Sequence, residues 1–220
     1  MLLNMSKILI SDFDGTMCRQ DFYQLVVAQL LPATVPNYWQ DYLDQKLTHF
    51  EVLRSYFAEI RCSEEQVDHI LNKMELEPEL PSLLEKLRAA EWEVVIASAG
   101  CGWYIHRLLK HIEKLPAIHT NPGRFVEGQG LLMSLPYGQQ FFSPFNGVDK
   151  TAIVKAAIAQ VGQKNVAYAG DGLTDVVPAL LVGEERRFAR SELARVLTEK
   201  MQRYRGFERW RTVAEILLSS

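Results

Sequence analysis

Short apolar runs rich in β-branched residues recur along the chain, and each ends in polar residues or glycine. They cover Lys7–Asp12, Glu93–Ser98, Ala117–Thr120, Asn165–Asp171 and Arg187–Ala189; runs of this length and composition predict buried strands. Between them lie stretches with a helical spacing of apolar positions: Pro81–Ala90, Trp103–Ile112, Lys150–Val161 and Asp175–Leu181. Strands alternating with helices predict a Rossmann-like α/β fold, a doubly wound parallel sheet covered on both faces. Ligands bind such sheets beyond the carboxyl ends of the strands, and Asp12, Ser98 and Asp171 all stand there.

The alternation is interrupted after the first strand. Residues 12 and 98 are 86 positions apart, far more than one crossover helix needs. The interval has helical periodicity (Leu25, Val26, Gln29, Leu30; then Leu43, Leu47, Phe50, Leu53, Phe57) and no strand pattern. It predicts a small helical cap over 18–80, inserted into a catalytic core of 1–17 and 81–220. Caps exclude water and choose substrates. A second irregular stretch, Asn121–Asp149, is rich in glycine, proline and aromatics and predicts a hairpin turning at Glu127-Gly128. Its loop Tyr137–Phe145 is expected to act with the cap in specificity. The stretch Glu184–Arg211, with nine basic and five acidic residues, reads as a solvated helical face.

With 220 residues, 48% of them hydrophobic, the chain can bury one sizeable core plus an appendage. A net charge of −3 argues against bulk electrostatic binding to nucleic acid or to an anionic membrane, and points to a small-molecule partner. Cys18, Cys62 and Cys101 form no CxxC and no zinc-site spacing, which fits a reducing compartment. Neither a signal peptide nor a membrane span can be drawn. The expectation is a soluble cytoplasmic protein, monomer or homodimer.

The chemistry lies at the strand ends. SDFDGTM puts Asp12 and Asp14 two residues apart, so in an extended chain their side chains share one side and repel. Ser98 in IASAG, Lys150 in VDKTAIV, and Asp171 and Asp175 in GDGLTD could join them. Each element alone has a bland reading as a loop acid, helix cap or solvated charge. Together they supply what phosphoryl transfer through an aspartyl-phosphate requires. Asp12, Asp171 and Asp175 offer hard oxygens to a Mg²⁺, and the candidate metal ligands are these three with Asp14. The metal would cancel the repulsion between the paired acids. Asp12 would be the nucleophile; Asp14 would protonate the departing oxygen and then activate water. Ser98 and Lys150 would hold the phosphate, with backbone N–H groups around Gly15–Thr16 and Ala99–Gly100 donating to the rest. An EF-hand is excluded, because its sixth and twelfth positions from Asp12 are Met17 and Tyr23. No GxxxxGK[ST] occurs. A receiver-type signalling domain would need neither a second acid two residues beyond its phosphoacceptor nor the long helical interval.

DFDGT, the strand-terminal Ser98, Lys150 and GDGLTD, in that order, resemble the four signature motifs of the haloacid dehalogenase superfamily of phosphohydrolases. The resemblance spans Asp12 to Asp175 and implies a Rossmann-like core, Mg²⁺ and an aspartyl-phosphate intermediate. The insert is similar to that of the subgroup holding phosphoserine phosphatase and the methionine-salvage enol-phosphate phosphatase. By that resemblance Asp21 occupies the approximate place of a glutamate that binds the ammonium of phosphoserine, and Arg54 that of the arginine binding its carboxylate. Asp21 reads equally as a cap of the first insert helix, and Arg54 as a solvated charge. Gly15, Asp21 and the C-terminal tail look closer to the methionine-salvage branch, which acts on 2-hydroxy-3-keto-5-methylthiopentenyl-1-phosphate.

Overall fold

A computed structural model describes residues 6–220; positions 1–5 of the expected core lie outside the described residues. The chain opens with β1 (Lys7–Ser11) and leaves the sheet for α1 (Phe22–Gln29), α2 (Tyr38–Leu43), α3 (His49–Ala58) and α4 (Glu64–Asn72). It returns through α5 (Leu80–Ala89) to β2 (Trp92–Cys101), α6 (Gly102–Leu108) and β3 (Ala117–Asn121). Two hairpins follow, β4 (Gly123–Val126) with β5 (Gly130–Met133), and β6 (Phe142–Ser143) with β7 (Gly147–Val148). The remainder is α7 (Lys150–Val161), β8 (Val166–Gly170), α8 (Val176–Leu180), β9 (Arg187–Ala189), α9 (Ser191–Glu199), β10 (Arg205–Gly206) and α10 (Trp210–Leu218).

Six strands form one parallel sheet in the order β10-β9-β8-β1-β2-β3. Its central strand is buried on both faces, which is why Ile8-Leu9-Ile10 reads as a continuous apolar run. Leu9 packs into the cluster containing α5 and α10, whereas Ile8 and Ile10 pack into the opposite cluster with α7 and α9. From β1 the chain winds first through β2 to β3, then returns to β8 on the other side. The carboxyl ends of β1, β2 and β8 therefore border the crevice where the winding reverses, and bring residues 12, 98 and 171 together.

The insert does not have a core of its own. Phe22, Val26, Phe50, Leu53, Phe57 and Val67 belong to the same buried cluster as Phe13 and Leu131, and α3 packs against β5. The two connections to it run side by side, with Arg19 N–H donating to Glu75 O, Gln20 N–H to Met74 O and Glu77 N–H to Met17 O. Helix α3 starts with a capping box between Thr48 and Glu51, and its Phe50 N–H donates to Phe145 O at 2.9 Å.

The turn at Glu127-Gly128 closes the β4–β5 hairpin as the composition predicts. Helix α6 ends at Leu108, short of Ile112. The solvated helical face expected over Glu184–Arg211 is present on α9, where exposed Arg195 pairs with Glu192 and Glu199, but it does not describe the whole segment. The segment contains two strands of the sheet, and Arg187 is buried with its guanidinium donating to the carbonyls of Ala179, Val182 and Arg203. Beyond it, Phe207 and Trp210 are buried, and the Trp210 indole N–H donates to Ser11 Oγ at 3.0 Å. Strand β10 has only two residues, both exposed, so it carries no apolar pattern. Among the described residues no helix is long and apolar enough to cross a membrane, and the three cysteines are free thiols.

Candidate active site

Asp12, Asp171 and Asp175 converge at the ends of β1 and β8, each offering a carboxylate oxygen within 4.8 Å of the others. Lys150, the first residue of α7, reaches in from the side and is itself buried. Its Nζ lies 2.7 Å from Asp12 Oδ2 and 2.7 Å from Asp175 Oδ1. Burial opposes the charge on this ammonium, but Asp12 and Asp175 outweigh it and hold Lys150 above the usual lysine range. Asp175 is hydrogen-bonded at both oxygens: Oδ1 also accepts from Tyr168 Oη at 2.6 Å, and Oδ2 accepts the backbone N–H groups of Asp171 and Gly172. Burial would raise it, yet Lys150 and these donors hold it below the ordinary carboxylate range. Asp171 has fewer partners. Burial, then Asp175, pushes it up to about 7, against the Thr16 hydroxyl that donates to its Oδ1 at 2.9 Å.

Burial and Asp175 likewise raise Asp12, with Lys150 opposing. Three clustered carboxylates face one ammonium, and two of them hold protons more tightly than usual. A hard divalent cation fits this set: the donors are all oxygens, they are close enough to share one ion, and its charge answers the excess of negative charge. The arrangement is compatible with Mg²⁺.

The carboxylate of Asp14 does not join the cluster, contrary to its place among the expected metal ligands. The strand ends at Ser11, and beyond it the two acids line the same cavity with different partners. Asp14 Oδ1 accepts Phe22 N–H at 3.2 Å; Oδ2 accepts Tyr104 Oη at 2.7 Å and the Ser98 hydroxyl at 3.4 Å. Burial raises its pKa, and the bonds from Tyr104 and Phe22 limit the rise. Ser98 Oγ also accepts Gly100 N–H at 3.0 Å. A side chain at Gly15 would collide with the Asp171 carboxylate, and one at Gly100 with the Tyr104 hydroxyl.

A cavity of about 600 Å³ opens over these groups. Asp12, Asp14, Gly15, Ser98, Ala99, Gly100, Lys150 and Asp171 border it on the core side. Thr16 does not: its N–H is donated to Phe13 O, and its hydroxyl orients Asp171. On the insert side are Asp21, Tyr23, Trp39, His49, Leu53 and Phe57. Asp21 is both things the sequence allows. It caps α1 by accepting Tyr23 N–H at 2.8 Å, and it lines the cavity with its carboxyl well above the usual range, through burial, Asp14 and Asp171.

Arg54 does not reach the cavity. It lies on the exposed face of α3 with its guanidinium 5.6 Å from the Phe50 ring centroid, because the helix turns its Leu53 and Phe57 face inward. The loop Tyr137–Phe145 does not line the cavity either; it touches the site only through the Phe145 carbonyl that holds the start of α3. The arginines at the mouth are Arg19 and Arg190. Sequence reasoning missed these two together with Tyr104, Tyr168, Trp39 and His49. Tyr104 stands one turn beyond IASAG, at the spacing that returns a helical side chain to the strand end, and that was a usable signal.

Residues 7–215 match the family model described as "Putative Phosphatase". The chain belongs to this phosphatase family. No curated protein matches the chain. Among solved structures this phosphatase is similar to a haloacid dehalogenase family hydrolase from Salmonella enterica serovar Typhi, at 19% identity and a TM-score of 0.67 over 91% of this chain and 66% of that one. It is also similar to a phospho-aspartyl intermediate analogue of phosphoserine phosphatase (16% identity, TM-score 0.66, 96% and 99% covered). A substrate-bound phosphoserine phosphatase gives 14% identity and a TM-score of 0.66, with 96% and 97% covered. The phosphatase thus has the haloacid dehalogenase fold along nearly its whole length.

Proposed function

We propose that this phosphatase hydrolyses a small phosphomonoester through a phosphoaspartyl intermediate on Asp12, in a Mg²⁺-dependent reaction. The observation that carries the reading is the division between two nearby carboxylates. Asp12 faces Lys150 and the other acids, while Asp14 is held by Tyr104 and the Phe22 N–H. Different surroundings assign different roles. Asp12 attacks phosphorus as the bond to the ester oxygen breaks, and Asp14 gives its proton to that oxygen. Asp14, now ionised, then takes a proton from water as the water oxygen attacks the phosphoaspartate, releasing phosphate and the Asp12 carboxylate. Lys150 offsets charge on the transferring group, and Ser98 and the N–H groups near Gly15 and Ala99 donate to its oxygens. Asp12, Asp171 and Asp175 would hold Mg²⁺, which supplies charge that lets an anionic carboxylate approach an anionic phosphate. Residues 18–80 act as a cap over the leaving group.

For the leaving group, the first reading is the methionine-salvage enol phosphate. An insert wall of Tyr23, Trp39, Leu53 and Phe57 suits a partly apolar chain, and Arg54 points away from where a serine carboxylate would need it. The second reading, phosphoserine, is supported by Asp21 on the cavity wall, with Arg19 or Arg190 as the available carboxylate partner. Phosphate release from a panel of phosphomonoesters, run with Mg²⁺ and again with chelator, tests the proposal. Metal-dependent release is expected; none from any ester would overturn it.

A further inference from the structure

Strand β2 loses its regular pairing with β3 just where it reaches the cavity. Ala97 pairs with His119 and Cys101 with Asn121, so three residues of β2 (Ser98, Ala99 and Gly100) stand opposite one of β3, Thr120. A bulge of this kind takes backbone groups out of the ladder, and buried carbonyls still need donors. Two side chains of β3 supply them. The Thr120 hydroxyl donates to Gly100 O at 2.9 Å. The buried Asn121 amide donates through Nδ2 to Ala99 O at 2.7 Å and to Asn146 O at 3.2 Å.

The consequence falls on Ser98. In a trans peptide the C=O and the following N–H point in opposite directions, so holding the Ala99 carbonyl fixes the Gly100 N–H, which donates to Ser98 Oγ at 3.0 Å. With one lone pair engaged, the Ser98 hydroxyl is aimed by that bond. Its proton runs toward Asp14 Oδ2 at the cavity, where a phosphate oxygen of a bound ester can accept it. Asn121 is not placed for stability alone: its Oδ1 is buried without a partner, and a Cβ at Gly147, whose φ is +77°, would overlap that oxygen. An orphaned buried oxygen is destabilising, and what the amide supplies against that is the fixed direction of two carbonyls.

Resting on the phosphatase reading, we infer that Asn121, with Thr120 beside it, is a positioning residue for phosphate binding. Neither residue lines the cavity; both act through the backbone of Ala99 and Gly100, and so through Ser98. Asn121→Leu keeps most of the volume and removes the donor. On p-nitrophenyl phosphate with Mg²⁺ it should lower kcat/KM, and weaken competitive inhibition by inorganic phosphate, by roughly tenfold or more, the scale of losing a group that orients a ligand-binding side chain. Thr120→Val, close to it in shape, should lower both in the same direction and Thr120→Ser should restore them, which keeps the comparison valid if Asn121→Leu does not fold.

Combination with Ser98→Ala separates positioning from general support of the fold. In Ser98→Ala, adding Asn121→Leu or Thr120→Val should cost only about twofold more, because the group they act through is gone. Equal losses with and without the Ser98 hydroxyl, or unchanged activity and phosphate inhibition in both single variants, would overturn the inference. If the wild type releases nothing from any ester, the hydrolase reading falls. Calorimetric titration with inorganic phosphate and Mg²⁺ then runs the same comparison without turnover, and a wild type that binds no phosphate there would overturn this inference as well.

Discussion

The Tyr104 hydroxyl donates to Asp14 Oδ2 at 2.7 Å and fills the space that a side chain at position 100 would occupy. The bond favours the ionised carboxylate and partly offsets the burial that raises it. Removing it with Tyr104→Phe should raise the Asp14 pKa further. Hydrolysis of the phosphoenzyme needs ionised Asp14, so turnover of p-nitrophenyl phosphate should fall on the acid side of its pH profile and recover as pH rises. A shift of one unit costs roughly tenfold at the acid end. An unmoved acidic limb would show that Tyr104 serves only the packing of α6.

Replacing Asp14 itself separates its two duties by leaving group. An alkyl phosphate departs as a basic alkoxide and needs a proton, whereas p-nitrophenyl phosphate departs as a stable phenolate. Asp14→Asn should cost roughly 10²–10⁴-fold on alkyl esters, the range for general acid catalysis, and much less in the first turnover of the aryl ester. Slow hydrolysis should then leave phosphate on Asp12, visible as a burst of nitrophenolate in rapid mixing. Asp12→Asn should show neither turnover nor burst.

The parts of this molecule legible in its sequence are those where one local pattern meets one global demand. Ile8-Leu9-Ile10 is apolar because β1 is covered on both faces, and an acid after such a strand must stand at the rim of the sheet. The long helical interval needed only counting. What could not be read depends on contacts between distant segments. Arg187 is buried because three carbonyls converge on its guanidinium, and nothing within ERRFAR announces that. Asp14 differs from Asp12 in its partners because Tyr104 and the start of α1 meet it. Arg54 and His49 lie on the same helix, and only the rotation of α3 decides which of them meets the cavity.

That rotation gives the third prediction. Arg54 is exposed and touches the ring of Phe50, outside the cavity. Arg54→Ala should therefore leave KM and kcat within about twofold on every ester, and lower stability by no more than about 1 kcal/mol, the scale of an exposed cation–π contact. Arg190→Ala, at the mouth of the cavity, should raise KM for a carboxylate-bearing ester if phosphoserine-like compounds are substrates. A carboxylate-selective rise in KM for Arg54→Ala would mean that α3 turns when substrate binds.

The final prediction concerns metal removal. The carboxyl of Asp171 rises from the ordinary value near 3.8 to about 7, through burial first and Asp175 second. A group whose pKa is higher in the folded than in the unfolded chain stabilises the fold when protonated. Its contribution is complete below the unfolded pKa and is lost as pH climbs through about 7. In chelator, the urea midpoint should therefore fall between pH 6 and pH 8. Asp12 and Asp21, also raised, act in the same sense, while His49, with a pKa near 4, acts in the opposite sense at more acid pH. A cation competes with the proton on Asp171, so added Mg²⁺ should stabilise most at pH 8, where no proton must be displaced, and should flatten the decline. Asp171→Asn removes both the titrating group and an anionic ligand, and should show a shallower fall in chelator and a smaller gain from Mg²⁺. If Asp171→Asn and the parent respond identically to pH in chelator, the proton whose loss destabilises the apo fold does not sit on Asp171; if they respond identically to Mg²⁺, Asp171 is not among its ligands.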